Sequence, residues 1–346
     1  MSRPEPGVEP QGLARSLLPA FRSLLRQALR VSGADALAPL SRMVKELVAD
    51  LAAAGCDPLE VAGLSARLGD ALVRRLVGLH LIEQGPPPAP FAWLSLGSAG
   101  RREQPLPGEQ DHALVVGDQA QEGDLGWYRS LAARVEEGLA AAGHPPCPGG
   151  IAAGRLLRRR AEWCARVREA VAEPGPTGLL EVAVLLDGRR VAGRLGLAEL
   201  RAALLAGAEN PRFLRELARA ALAFPVAAPR RPPAGRRALR FDLKRQALAP
   251  LVVLARCYGL AARCPEPGTS DRLEAARAAG LLGADVAGPA RGALRLLLGL
   301  RLRQDLTRAP AAGALDLSSA EARAILPALR TIRRLQRRAA NRFGLE

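Results

Sequence analysis

Aromatic residues are scarce, making up 3% of a 346-residue chain that is 49% hydrophobic. A core must therefore be assembled from Leu, Ala and Val, which favours helices over an all-β sandwich. Lysine is nearly absent: Lys45 and Lys244 stand alone, so arginine carries the net charge of +16. That balance admits a surface for phosphates or nucleic acid. No basic run is interleaved with aromatic stacking residues, however, and Arg, Ala, Gly and Pro rise together as a high-GC coding bias would raise them. The arginine content is weak evidence for a nucleic-acid partner, and we expect none.

The cysteines at 56, 147, 164, 257 and 264 are odd in number and include no Cys-x-x-Cys pair. They support neither a disulfide framework nor a zinc site. His80, His112 and His144 share no ligand spacing. No segment offers about 18 uninterrupted apolar residues, and the opening MSRPEPGVEPQG has no apolar signal region. These absences predict a soluble, cytoplasmic protein with no membrane partner.

The length predicts about two domains. From Leu13 to about Ile82 apolar residues recur at helical spacing in three amphipathic segments, and the run Gly85 to Pro90 then breaks the pattern. Beyond it FAWLSLG and DHALVVGD read as strands, LGWYRSLAARVEEGLAAAG as a helix ending on Gly143, and LLEVAVLLDGRRVAG as a third strand ending near Asp187. Helical segments return from Leu197 onward and call for a bundle. The Arg/Pro-rich stretch Pro225 to Arg237 reads as an exposed loop, and Thr269 or Ser270 as the N-cap of a later helix.

Glu109 and Asp111, two apart at a strand opening, would point to one face. Carboxylates held that close share a proton or bind a cation, and oxygen ligands favour Mg²⁺ or Mn²⁺. Upstream, the Gly97-Ser98 turn can aim backbone N–H groups at an anion such as phosphate. Asp187, closing the third strand, could complete a two-metal site for phosphoryl or nucleotidyl transfer. On spacing alone the acidic pair reads first as a solvated strand end, and Asp187 equally as a turn cap. Asp242 suits helix capping, Lys244 an exposed helix start, and Cys147, between prolines, a packed turn.

An apolar strand ending in Gly97-Ser98, about ten intervening residues, then Glu109 and Asp111: this string resembles the nucleotidyltransferase superfamily signature. More closely, LGSAGRREQPLPGEQDHAL resembles a bacterial nucleotidyltransferase family often linked to CBS or cyclic-nucleotide-binding domains. Leu96, Gly97, Ser98, Gly100, Arg101, Glu103, Gln104, Gln110, Asp111, Ala113 and Leu114 match its pattern. HPPCPGGIAAG resembles its Cys-x-Gly-Gly turn, and FDLKRQALAPL the start of its C-terminal substrate-binding helices. More distant relatives are PII-uridylyltransferase and glutamine synthetase adenylyltransferase, whose Asp-x-Arg strand end is resembled by Asp187 and Arg189. Two positions depart from the family: Glu109 stands where it has Asp, and His112 where it has Asn.

The resemblance implies an α+β, mainly helical fold: a nucleotidyltransferase-like small mixed β-sheet with flanking helices, plus N-terminal helices and a C-terminal helical bundle. The domains would be 1–84 (N-terminal helices), 91–195 (catalytic) and 196–346 (substrate-binding bundle). It implies NTP as substrate and Mg²⁺ or Mn²⁺ on Glu109, Asp111 and Asp187, with Gly97, Ser98, Arg101, Gln104 and Lys244 binding nucleotide. A nucleoside monophosphate would pass to an acceptor hydroxyl, on a protein by analogy with the relatives, and a separate sensor partner would take the place of the missing sensor domain. The alternatives are a nucleotide-binding regulatory module without turnover and a nucleic-acid-binding protein.

Overall fold

Prolines and caps set the helix boundaries of the N-terminal half. In a computed structural model of the protein, residues 10–31, 36–106, 108–228, 239–307 and 315–345 are described. The three expected helices are α1 (Pro10–Ala28), α2 (Leu37–Ala53) and α3 (Pro58–Gln84). Asp57 accepts a hydrogen bond from the Leu59 N–H at 2.8 Å and Pro58 fills the first turn of α3, so an orphan donor is satisfied where the chain enters the helix. Gly85 and the prolines after it end α3.

The chain forms two compact units, one running up to Arg158 and including Arg190–Leu195, the other made of Arg159–Arg189 and the chain from Gly196 onward. The first holds α1–α3, a four-stranded mixed sheet and α5. Its strands are β1 (Phe91–Ser95), β2 (His112–Val116), β3 (Leu157–Arg159) and β4 (Arg189–Gly193), in the order β3-β2-β1-β4. A single turn, α4 (Gly97–Gly100), follows β1, and α5 (Leu125–Ala141) follows β2. β1 and β2 pair antiparallel from Phe91↔Val116 to Ser95↔His112, and all ten of their residues are buried. That explains why they read as continuous apolar runs rather than as alternating ones. Tyr128 of α5 ties down the proline linker: its hydroxyl donates to Ala89 O at 2.7 Å and accepts from the Ala89 N–H at 2.8 Å. On the other edge Gly193 has φ +81°, and a Cβ there would lie 2.1 Å from Phe91 O, so only glycine lets β4 close onto β1.

LLEVAVLL is not the third strand. It lies in α7 (Pro176–Leu186), with Asp187 at its C-cap, and the strand comes afterwards as β4. Eleven residues exceed an ordinary buried strand, Pro176 opens the first turn, and Leu, Ala and Glu favour helix. Periodicity is silent here because the run is apolar on every side.

In the second unit α6 (Arg160–Ala172) and α7 are followed by α8 (Ala198–Ala206), α9 (Pro211–Leu222), α10 (Ala249–Ala261), α11 (Thr269–Ala278), α12 (Ala284–Thr307) and α13 (Ser319–Phe343). Leu251, Leu254, Tyr258, Leu297, Ile332 and Leu335 are fully buried at its centre. A short antiparallel ribbon joins β5 (Leu239–Phe241) to β6 (Leu315–Leu317). Asn210 caps α9, accepting from the N–H groups of Arg212 and Phe213 at 2.9 and 3.1 Å, and its amide donates to Val171 O at 2.7 Å. Asp242 caps as expected, accepting from the Arg245 N–H at 2.9 Å. α11 begins earlier than its expected caps: Gly268 is its N-cap, and the Ser270 hydroxyl instead accepts from Arg291 Nε at 3.0 Å. Pro225–Ala228 have no regular structure, and the rest of the expected loop up to Arg237 lies outside the described residues. Among the described residues no helix is long and apolar enough to cross a membrane.

Candidate metal and nucleotide site

The acidic pair is placed by backbone pairing in the first unit. Beyond Ser95 the β1–β2 register continues one step, with the Leu96 N–H donating to Asp111 O at 2.8 Å. The chain then turns into α4 at Gly97, which has φ +55°. A Cβ on Gly97 would lie 2.3 Å from Asp111 Oδ2 and 3.2 Å from its Cγ. Any side chain at 97 would thus be strained in backbone and would displace the carboxylate. The glycine turn and the second acidic residue of the motif meet at this point.

After α4 the chain reverses through Arg102 at φ +59°, the Glu103 N–H donating to Ser98 O at 2.8 Å and the Arg102 N–H to Ala99 O at 3.1 Å, a Schellman closure with arginine where glycine is usual. Arg101 Nε donates to Glu103 Oε2 at 2.7 Å in a nearly buried pair, and the Ser98 hydroxyl donates to Gln104 Oε1 at 3.4 Å. Ser98, Arg101 and Gln104 therefore knit together the loop that carries Gly97.

Gln110, between the two acids, faces the other way and is buried. Its Nε2 donates to His144 O at 2.7 Å and Glu136 O at 2.9 Å, and its backbone N–H to Pro145 O at 2.9 Å. These bonds draw the turn after α5 alongside the acidic segment, with Gln110 bridging to Pro146. Cys147 arrives with that turn. Carboxylate oxygens of Glu109 and Asp111 and the Cys147 sulfur all lie within 4.8 Å of one another. Burial pushes the Cys147 thiol pKa up, as do a hydrogen bond with Asp111 and that group's charge, while the backbone of Ile151 and Gly149 acts the other way.

Two family models match the chain. Residues 42–177 match the one described as "Putative nucleotidyltransferase DUF294", and residues 211–343 match "Putative nucleotidyltransferase substrate binding domain". The chain belongs to this nucleotidyltransferase family. A search of the curated proteins returns no match. The first match spans the Gly97-Ser98 turn, the acidic pair and Cys147; the second spans α9 to α13. Nucleotidyltransferases generally use divalent cations, and the donors here suit one: two carboxylates and a sulfur converge, and Asp111 is seated where a Cβ on Gly97 would stand.

The remaining expected site residues, Asp187 and Lys244, belong to the second unit. Asp187 is fully buried there, at the end of a helix instead of a strand. Arg272 Nη1 donates to its Oδ1 at 2.8 Å, Arg256 Nε to Oδ1 at 3.0 Å and Arg256 Nη2 to Oδ2 at 2.5 Å. Arg272 Nη2 also donates to Leu186 O at 2.6 Å. Lys244 is exposed and opens a π-helical turn, Lys244–Leu248, ahead of α10. Sequence reasoning missed Cys147 and the part played by Gln110. Both lie in matched motifs, and the bonds from Gln110 to the His144 and Pro145 carbonyls help to bring the two motifs together.

His112 is buried against Trp93 with ring centroids 5.4 Å apart, and its Nδ1 has no hydrogen-bond partner among the described residues. Burial, and to a lesser degree His144, lower its pKa from 6.5 to about 3. The unfolded chain thus takes up the proton first. The stability due to neutral His112 is complete above pH 6.5 and drains away as pH falls from there towards 3. In metal-free protein, urea unfolding at a series of pH values should show stability falling below pH 6.5, with a shallower fall in His112→Asn. Equal slopes in the two proteins would remove His112 as the cause.

Proposed function

We propose that the protein transfers a nucleoside monophosphate from an NTP to an acceptor hydroxyl. The observation that carries this is the seating of the Asp111 carboxylate against Gly97, with Glu109 beside it, in a chain matching a nucleotidyltransferase and a substrate-binding domain. Glu109 and Asp111 would hold the divalent cation, Mg²⁺ or Mn²⁺. When bound, such cations neutralise the triphosphate and stabilise the attacking and leaving oxygens of an in-line displacement. Gly97 lets the Asp111 carboxylate seat against the turn, and the N–H groups of Gly97 and Ser98, which open α4, would donate to phosphate oxygens. Gln104 and the Arg101–Glu103 pair hold that loop in shape, so the cradle is formed before substrate arrives. The acceptor oxygen bonds to the α-phosphorus, the bond to the α–β bridging oxygen breaks, and pyrophosphate leaves with that electron pair. The acceptor's proton passes to solvent. A hydroxyl on a protein side chain is the acceptor we favour, and the substrate-binding helices would bind that protein. Asp187, with its carboxylate engaged by two arginines, serves in this reading as an anchor of the second unit and not as a ligand.

Glu109 supports a second reading, a nucleotide-binding module without turnover, because its extra methylene moves the carboxylate by about 1 Å, and misplacement on that scale costs about 10²-fold in rate. The full chain, incubated with α-phosphate-labelled NTPs and Mg²⁺ or Mn²⁺, should release pyrophosphate and label an acceptor. Glu109→Asp should raise the rate by about 10-fold or more if the extra methylene is limiting. Binding without pyrophosphate release in either protein would favour the module over the enzyme.

A further inference from the structure

Cys147 is placed unlike a packing cysteine. Cys164 and Cys257 are buried, as structural thiols usually are. Cys147 is half-buried, as are Cys56 and Cys264, and is set apart by its sulfur lying within 4.8 Å of carboxylate oxygens of both Glu109 and Asp111. Gln110 imposes this placement through three hydrogen bonds, at 2.7, 2.9 and 2.9 Å, and Pro145, Pro146 and Pro148 stiffen the turn. Donor atoms around a tetrahedral ion lie roughly 3.5 Å apart, given bonds of about 2.0–2.3 Å. Atoms already within 4.8 Å reach that spacing by small side-chain rotations.

We propose that Cys147 is the third protein ligand of the cation held by Glu109 and Asp111, so that the site ranks Zn²⁺ and Co²⁺ above Mg²⁺. This rests on the functional reading above, which needs a cation at the carboxylates but not at the sulfur. A thiolate is a soft ligand, and adding it to two carboxylates shifts preference from hard to borderline cations. The thiol gives up its proton to solvent as the metal–sulfur bond forms, so binding releases one proton and tightens as pH rises. Mg²⁺, which keeps oxygen ligands, would ignore the sulfur.

Co²⁺ titrated into the full chain tests this, with absorbance as the readout. A near-ultraviolet thiolate-to-cobalt band should grow to one equivalent and be missing from Cys147→Ser and Asp111→Asn. Cys147→Ser should bind Co²⁺ at least about 10-fold more weakly, since losing even an outer-shell partner of a ligand costs about 10–100-fold, while its Mg²⁺ affinity stays unchanged. Cys147→Ala, checked for folding by circular dichroism, guards against a serine that coordinates or a variant that misfolds. Asp111-dependent Co²⁺ binding with no thiolate band, or a band that persists in Cys147→Ser, overturns the inference and leaves the functional reading standing. Failure of any divalent cation to bind through Asp111 overturns both.

Discussion

Asp111→Asn is expected to lower nucleotidyl transfer by about 10³-fold while leaving the fold intact. A cation at the reacting phosphate stabilises transition-state charge by several kcal/mol, and each 1.36 kcal/mol is about tenfold in rate. The substitution keeps the shape and the backbone carbonyl that accepts from the Leu96 N–H at 2.8 Å, so β1 and β2 still pair. It also keeps an oxygen near Gly97 but removes the charge. Unfolding midpoints of the two proteins should therefore agree, while cation-dependent transfer separates them. Matching transfer rates would place the chemistry elsewhere.

Asp187→Ala should act in the opposite way, on stability. Its carboxylate is wholly buried and meets Arg272, which is 3% exposed, as well as the half-buried Arg256. Removing one partner from such a network strands the others, at a cost of about 3–5 kcal/mol. Domains are commonly stable by only about 5–15 kcal/mol, so the second unit should lose a large share of its stability. Replacing all three residues with apolar side chains of similar volume should recover much of the loss, because buried ion pairs contribute little beyond well-packed hydrophobic groups. Urea unfolding monitored by circular dichroism distinguishes these cases. A urea unfolding curve for Asp187→Ala identical to that of the wild type would mean that the carboxylate does not anchor this unit.

Proline breaks, caps and runs of one hydrophobic period made much of the fold legible from the sequence. α1 to α3, β1, β2 and α5 fall where periodicity and the Gly85–Pro90 break place them, since each has strong end signals. α7 was illegible because its run is apolar at nearly every position and so shows no period, and β3, only three residues long, has too little sequence to carry an alternation. The site was half legible. Gly97, Glu109 and Asp111 lie within one motif, so their meeting could be read locally. Cys147 reaches them through the Gln110–His144 and Gln110–Pro145 bonds, a long-range pairing that no local pattern announces. Asp187 shows the reverse: the motif position suggests a ligand, yet the burial of Arg256 and Arg272 around it depends on two helices far along the chain.

The central claim, that Gly97, Glu109 and Asp111 form a cation-dependent nucleotide site, is tested most directly by calorimetric titration of each NTP into the full chain. The titrations would be run with Mn²⁺, with Mg²⁺ and with a chelator. The account predicts saturable binding of at least one NTP with either cation, lost in chelator and in Asp111→Asn. Nucleotide binding that is indifferent to both the cation and Asp111 would contradict it.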